Sequence, residues 1–193
     1  QSHITDTLLK SVENDHLAQA LLFCGPRGVG KTTCARILAK VINAGANLSD
    51  DELALNIFEL DAASNNSVDD IRRLIDQVRF APQTGKFKVY IIDEVHMLSQ
   101  QAFNAFLKTL EEPPAHAIFI LATTEKHKII PTILSRCQIF DFKRITVEDI
   151  ANHLAYVAEQ EGINAEPEAL HMIAEKADGA LRDALSLFDR MIS

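Results

Sequence analysis

Cysteine, basic charge and long apolar runs are all scarce in this chain of 193 residues, and each shortage excludes a class of protein. Because Cys24, Cys34 and Cys137 show no C-x-x-C spacing, we expect neither a disulfide framework nor a four-thiolate zinc site. No apolar run approaches the roughly 20 residues of a membrane-spanning helix, and no basic segment with an apolar signal core opens the chain. We therefore expect a soluble, cytoplasmic protein with no membrane partner.

Acidic residues outnumber basic ones, with 27 Asp and Glu against 19 Lys and Arg and a formal net charge of -8. Such a chain is not attracted in bulk to nucleic acid, so any contact with nucleic acid must be local. The composition, 47% hydrophobic and 24% charged, is that of a folded protein with a core. Candidates for a local contact with nucleic acid, each of which we expect more often to be an ordinary surface residue, are Asn65, Asn66, Arg72, Arg73, Lys126 and Lys128.

Short apolar segments rich in Ile, Val and Phe alternate with segments of helical period, which predicts an α/β fold with a parallel sheet. Helices are expected to begin near Thr32, Ser67 and Ser99. Residues 43–56 are the least patterned, and we expect a surface excursion there with room for a short helix at Leu48 and Leu53. Five strands are expected, at residues 20–24, 57–60, 88–93, 118–123 and 138–142.

After residue 142 the pattern is helical only. Thr146 is a helix cap, Gly162 ends that helix, Pro167 suits a first turn, and Asp178 with the following glycine breaks the chain again. These signals predict a small three-helix domain. We therefore expect two domains, an α/β domain at residues 1–143 and a helical domain at residues 144–193.

Residues 25–32 match G-x-x-x-x-G-K-[ST], the pattern of a phosphate-binding loop, between an apolar strand and a helical segment. The glycines allow successive backbone N–H groups to point at a polyphosphate. Lys31 adds a positive charge for the terminal phosphates, and the Thr32 hydroxyl suits Mg²⁺. The alternative, a glycine-rich turn with an exposed lysine, leaves the flanking strand and helix unexplained.

A second motif places two carboxylates, Asp93 and Glu94, directly after the apolar strand at residues 88–93, and it resembles a Walker B motif. Parallel sheets bind ligands at the carboxyl ends of their strands. There Asp93 would hold magnesium through water, and Glu94 would orient and deprotonate the attacking water. Two acids after a strand are common, but together with Lys31 they favour nucleotide hydrolysis over binding without turnover. The predicted nucleotide-binding residues are Gly25, Pro26, Arg27, Gly28, Val29, Gly30, Lys31, Thr32, Thr33 and Asp93.

The segment from Asp93 to His96 also fits the D-E-x-H pattern of a large helicase superfamily. Such helicases pair two α/β domains across the nucleotide, whereas this chain has one followed by helices, so we disfavour that alternative. His96, His116 and His127 lack metal-ligand spacing, and we expect surface or hydrogen-bonded histidines.

Three further features resemble parts of AAA+ ATPases. Thr124 follows the strand after Walker B and resembles a sensor 1 hydroxyl. Arg136, in a Ser-Arg-Cys string, resembles an arginine finger, and Arg182 resembles a sensor 2. A single arginine at a helix edge is usually a solvated charge, but these positions relative to both Walker motifs favour a function. The predicted catalytic residues are Glu94, Thr124, Arg136 and Arg182.

Nearly the whole chain resembles the AAA+ module of the gamma/tau family of bacterial DNA polymerase III clamp-loader subunits. The resemblance implies an ATP- and Mg²⁺-dependent motor that opens a sliding clamp and closes it around primed DNA, within a DNA-directed DNA polymerase holoenzyme. It implies other clamp-loader subunits, the clamp and primer-template DNA as partners, with Arg136 serving a neighbouring subunit. The matching segments are residues 25–33, 61–65, 89–99, 103–114, 121–124, 135–137 and 182–186.

The chain departs from the family pattern in two respects. Family members carry a four-cysteine zinc insertion before the string at residues 61–65, but residues 44–56 contain no cysteine, so zinc is not predicted. The resemblance also implies a fragment of two domains, without the family's amino-terminal segment and carboxyl-terminal collar. The alternative function is a nucleotide-binding scaffold without turnover, which would not need Lys31, Thr32, Asp93 and Glu94 together.

Overall fold

The computed structural model describes residues 1–44 and 49–192, and its centre is a parallel sheet. Within the described residues the sheet has five strands in the order β2-β3-β4-β1-β5. This arrangement confirms the predicted α/β fold, and each strand ends within one residue of its prediction. The strands are β1 (Ala20–Cys24), β2 (Ile57–Asp61), β3 (Lys88–Asp93), β4 (Ala117–Thr123) and β5 (Gln138–Asp141).

Helices connect the strands and form the carboxyl-terminal part of the chain. One helix, α1, was not predicted from the sequence. The predicted helix near Leu48 and Leu53 is α3, which contains Leu53, whereas Leu48 lies outside the described residues. In order the helices are α1 (Ser2–Glu13), α2 (Lys31–Asn43), α3 (Asp50–Ala54), α4 (Val68–Val78), α5 (Gln100–Glu111), α6 (Pro131–Leu134), α7 (Val147–Gln160), α8 (Pro167–Lys176) and α9 (Leu181–Ile192).

The predicted helix caps are confirmed. Side-chain oxygens of Ser67, Ser99 and Thr146 accept hydrogen bonds from the third backbone N–H of α4, α5 and α7, at 3.1–3.2 Å. Each bond satisfies a donor that the helix itself cannot pair, which stabilises a helix end by about 1 kcal/mol. Pro167 begins α8, as expected for a residue whose missing N–H costs nothing there.

The central strands β1 and β4 are covered on both faces, which explains why their sequences are almost continuously apolar. All residues of β1 and β4 are buried. Side chains from α4 and α5, including Ile71, Leu74, Phe103 and Phe106, pack with Leu22 in one core cluster. Since β3 and β4 are parallel and adjacent, the residues that follow them lie at one edge of the sheet.

Contacts divide the chain into two compact units. The sheet unit contains residues 2–24 and 31–141, and the helical unit contains residue 1, residues 25–30 and residues 142–193. The core of the helical unit includes Ile150, Leu154, Leu170, Ile173 and Phe188, from α7, α8 and α9. Among the described helices, none has the length and apolar character needed to cross a membrane.

Candidate active site

Five polar residues of the sheet unit gather at the carboxyl ends of two central strands. Asp93 ends β3, Glu94 follows it, His96 lies in the next turn, Thr124 follows β4, and Thr32 lies in the first turn of α2. We call these five residues the strand-end cluster. Four of them were predicted as site residues, and hydrogen bonds bring those four together in two pairs.

The first pair joins Thr32 to Asp93. The Thr32 hydroxyl donates to Oδ2 of Asp93 at 2.5 Å, and Oδ1 accepts from the backbone N–H of Glu94 at 2.8 Å. A hydroxyl and a carboxylate are hard oxygen ligands, the type that Mg²⁺ prefers. The residues present therefore fit a magnesium ion, with Thr32 and Asp93 as the groups that would hold it directly or through water.

The second pair joins Glu94 to Thr124. The Thr124 hydroxyl donates to Oε2 of Glu94 at 3.0 Å. Glu94 has a left-handed backbone (φ 48°, ψ 43°), and its carbonyl accepts from the N–H of Met97 at 2.8 Å, which closes a tight turn after β3. A non-glycine residue in this region costs about 1–2 kcal/mol, so the surrounding contacts must hold it there.

The same turn brings His96 against Glu94. Its Nδ1 lies 2.9 Å from Oγ1 of Thr123 and 3.4 Å from Oε2 of Glu94. The expectation of a hydrogen-bonded histidine is confirmed for His96 and also for His116, whose Nε2 lies 2.8 Å from the carbonyl of Val78. The contact of His96 with Glu94 was not predicted. The sequence signal for it is that His96 follows the strand-end residue Asp93 by three positions, across a turn.

The predicted phosphate-binding loop lies in the helical unit up to Gly30 and then continues into α2 at Lys31. Gly25, Gly28 and Gly30 have φ values of 148°, 78° and 99°, which favour glycine. A Cβ at Gly25 would lie 2.4 Å from the Phe142 carbonyl oxygen, whereas one at Gly30 would meet open space. Of the other predicted residues, Val29 and Lys31 are buried, Pro26 is half-buried, and Arg27 and Thr33 are exposed.

Arg182 lies beside this loop in the helical unit. Its backbone N–H donates to the carbonyl of Gly28 at 3.3 Å. A Cβ at Gly28 would lie 3.0 Å from Cβ of Ala180, so a glycine allows the start of α9 to lie close to the loop. The side chain of Arg182 is exposed.

Arg136 does not join the strand-end cluster. It follows α6 and precedes β5, at the amino end of an edge strand. Its guanidinium pairs with the carboxylate of Glu111 at the end of α5, and donates to the carbonyl of Thr132 at 2.5 Å. Glu111 is 25 residues away in sequence, and no sequence signal connects the two.

The basic candidates for DNA contact have acidic partners. This pairing favours the alternative that they are ordinary surface residues. The ion pairs are Arg72 with Asp69 at 3.3 Å, Arg73 with Asp70 at 3.8 Å, Lys126 with Asp141 at 2.9 Å and Lys128 with Glu125 at 2.5 Å.

Two family models match consecutive parts of the chain. One, described as DNA polymerase III, delta subunit, matches residues 1–146. The other, described as DNA polymerase III clamp loader subunit, ATPase lid domain, matches residues 149–193. The chain belongs to the family of DNA polymerase III clamp-loader subunits. This family is the one that the motifs resemble, rather than the D-E-x-H helicases.

Similar curated proteins support the same family. The chain is 51% identical to DNA polymerase III subunit tau of Bacillus subtilis and 45% identical to subunit tau of Escherichia coli. It is 42% identical to subunit gamma of a Buchnera aphidicola strain. Each match covers the whole chain, but it spans only 37%, 32% and 56% of these relatives.

Solved structures share the fold. RuvB of Thermotoga maritima, described as a Holliday junction branch migration motor, has a TM-score of 0.75 at 20% identity, over 98% of this chain and 61% of RuvB. A DNA polymerase III gamma subunit-related protein of the same organism has a TM-score of 0.66 at 22% identity, over 96% of this chain and 57% of that protein. The chain therefore has the AAA+ fold, with a parallel sheet and a helical lid.

Proposed function

We propose that this chain is the ATPase part of a bacterial clamp-loader motor subunit, which binds and hydrolyses ATP to load a sliding clamp onto primed DNA. The observation that supports it most is the pairing of Thr32 with Asp93 and of Glu94 with Thr124 at one edge of the sheet. A magnesium ligand pair and a carboxylate base are the groups that phosphoryl transfer to water needs. We retain the proposed domains 1–143 and 144–193.

In this proposal the loop at residues 25–30 and Lys31 bind the phosphates of ATP through backbone N–H groups and one ammonium. Magnesium, when bound at Thr32 and Asp93, neutralises charge on the phosphates. Glu94 accepts a proton from water as the water oxygen bonds to the γ-phosphorus. The bond from the γ-phosphorus to the bridging oxygen breaks, and ADP leaves with that electron pair. Thr124 orients Glu94.

Arg136 is proposed to act on the nucleotide of a neighbouring subunit. The strand register puts Asp93 level with Phe140, four residues beyond Arg136 and three strand positions across the sheet. At about 3.3 Å per residue and about 4.8 Å per strand, roughly 20 Å separates the two positions. That distance exceeds the length of an arginine side chain, so completing the site requires a second subunit.

The partners follow from this requirement and from the family. We propose a hetero-oligomer with other clamp-loader subunits in the bacterial cytoplasm, acting on the clamp and on primer-template DNA. Arg182, at the start of α9, is proposed to contact the terminal phosphate and so couple the nucleotide to the lid helices. Because the chain itself is acidic, DNA would be held through its backbone by the assembly rather than by this chain alone.

The test is single-turnover ATP hydrolysis by the full-length subunit assembled with its partners, with and without clamp and primed DNA. Replacing Glu94 by Gln removes the base but keeps the shape and the hydrogen-bond acceptor for Thr124. We expect hydrolysis to fall by about 10²- to 10⁴-fold with nucleotide still bound. The exposed residue Glu148, on α7, provides the matched control Glu148→Gln, which should hydrolyse ATP at the parental rate.

The alternative is a subunit that binds nucleotide only as a scaffold. A scaffold has no need of a carboxylate held at Glu94 by Thr124. If the assembled parent hydrolysed no ATP at this subunit while binding it tightly, the scaffold function would replace our proposal.

A further inference from the structure

His96 is buried beside the proposed base, although no role in the reaction has been assigned to it above. Its side chain is 6% exposed, in a turn whose backbone is closed by Glu94 and Met97. A buried histidine is commonly a packing residue with one hydrogen bond. This ring instead lies close to two groups at once, the Thr123 hydroxyl at 2.9 Å and Oε2 of Glu94 at 3.4 Å.

The environment selects one form of the imidazole. A lone pair on Nδ1 would face the negative oxygen of Glu94, whereas an N–H at that atom is attracted to it. The Thr123 hydroxyl already accepts from the backbone N–H of Glu125 at 3.0 Å and has a second lone pair for Nδ1–H. The form that fits is therefore the one with the proton on Nδ1, which donates to Thr123 and faces Glu94.

The carboxylate of Glu94 is held on one side only. Thr124 and His96 both approach Oε2, at 3.0 Å and 3.4 Å. Within residues 1–44 and 49–192, Oε1 of Glu94 accepts no hydrogen bond. One oxygen of the carboxylate is thus anchored, and the other is available to take a proton.

We propose that His96 is a positioning residue for ATP hydrolysis: its Nδ1–H, donated to Thr123, attracts Oε2 of Glu94 and, together with the hydrogen bond from Thr124, holds that oxygen so that Oε1 faces the attacking water. This role rests on the proposed function of Glu94 as the base. His96 does not touch the substrate and transfers no proton. It acts by holding the base in one rotamer on a backbone turn that is itself unfavourable.

The first test is His96→Leu in the full-length subunit assembled with its partners. Leucine fills much of the ring's volume but cannot donate a hydrogen bond. Because misplacing a catalytic group by about 1 Å costs about 10²-fold in rate, we expect the single-turnover rate to fall by between about 10- and 10²-fold. The Kd for ATP should stay at its parental value, since Lys31, Thr32 and Asp93 are untouched.

Two conservative variants separate positioning from packing. The amide nitrogen of Asn occupies roughly the place of Nδ1, and that of Gln roughly the place of Nε2. His96→Asn should therefore recover most of the lost rate, whereas His96→Gln should remain as slow as His96→Leu. Equal rates for His96→Asn and His96→Leu, or a loss of ATP affinity that parallels the loss of rate, would overturn the proposal.

A matched histidine and the base itself complete the design. His116 bonds a carbonyl through Nε2 before β4, at the opposite end of the strand from the cluster, so His116→Leu should leave the hydrolysis rate unchanged. In the Glu94→Gln background, His96→Leu should cause no further loss, because the residue acts through Glu94. If Glu94→Gln were as fast as the parent, the proposed function would fail first; if only Glu94→Gln were slow and His96→Leu were normal, the positioning role alone would fail.

Discussion

The side chains of the strand-end cluster and of Arg136 are all polar, but their hydrogen-bond partners differ. In the cluster, Thr32 pairs with Asp93 and Thr124 pairs with Glu94, all within one edge of the sheet. Arg136 pairs away from that edge, with Glu111 and the carbonyl of Thr132. The cluster is a self-contained set of groups, whereas the arginine has partners that belong to no reaction.

The difference indicates which parts of the reaction one subunit can supply. A preorganised set of oxygens at the ends of two adjacent strands needs no neighbour to form. Arg136 lies roughly 20 Å from that set, at the other end of an edge strand, and we propose that it contributes to the site of a second subunit. The proposed function therefore assigns nucleotide binding and slow hydrolysis to one chain, and fast hydrolysis to the assembly.

The largest effect is expected at the arginine. Arg136→Ala in the assembled full-length protein should lower the clamp- and DNA-stimulated turnover by about 10³- to 10⁵-fold, the range for an arginine finger that acts in trans. The slow single-turnover hydrolysis of the isolated subunit should not change. Steady-state and single-turnover assays with ATP measure the two quantities.

The control for this variant is Arg79→Ala, which removes an exposed arginine paired only weakly with Asp76 at 4.0 Å. It should leave both rates at their parental values. An equal loss of hydrolysis in the isolated Arg136→Ala subunit would mean that the residue acts on its own site, and the comparison between the two regions would break.

The next largest effect is expected on ATP binding at Lys31, which precedes Thr32 of the strand-end cluster. Lys31→Ala should weaken ATP binding by about 10²-fold, since hydrogen bonds from a charged donor contribute about 1.5–3 kcal/mol. Titration with a fluorescent ATP analogue measures the loss. Lys10→Ala, at an exposed position of α1, is the matched control. Parental affinity in Lys31→Ala would place the phosphates elsewhere.

Sequence patterns predicted most of the fold because its central strands are buried on both faces. A continuous apolar run such as β4 has no competing interpretation at that length. The helix α1 escaped prediction because it buries only Ile4 and Leu8, and no Ser, Thr, Asp or Asn stands before its first residue. Too little of its pattern distinguishes it from a polar loop.

The candidate site was only partly predictable. Lys31, Thr32 and Asp93 belong to short motifs whose spacing reflects a local loop or strand end. The contact of His96 with Glu94 depends on a left-handed backbone at Glu94, which composition does not reveal. The pairing of Arg136 with Glu111 depends on how α5 and α6 lie relative to each other, and that is set by tertiary packing.

A smaller effect is expected in the pH dependence of stability, which reports whether water reaches the ends of the strands. Burial raises the pKa of Cys24, the last residue of β1, from 9.0 to about 11. The unfolded thiol loses its proton near pH 9 while the folded one retains it, so stability falls as the pH rises from 9 to 11. At pH 10 this group should cost about 1 kcal/mol of the free energy of unfolding.

Urea unfolding at pH 8 and pH 10 measures that loss. The variant Cys24→Ala is less stable at both values but should lose about 1 kcal/mol less than the parent between them. An identical loss in parent and variant would mean that the thiol is hydrated in the folded protein, and that the edge of the sheet is wetter than its packing indicates.

The smallest effect returns to the arginine side. The pair of Arg136 and Glu111 is partly exposed, with side chains 31% and 46% accessible, so it contributes at most about 1 kcal/mol. If that contact withholds Arg136 from a neighbour's nucleotide, Glu111→Gln should raise turnover of the assembly, by at most about fivefold. High salt should shrink the gain by screening the parental pair.

The adjacent exposed residue gives the control Glu112→Gln, for which no gain is expected. A slower Glu111→Gln assembly would instead mean that Glu111 orients the arginine for its neighbour, and the two regions would then be alike in being preorganised.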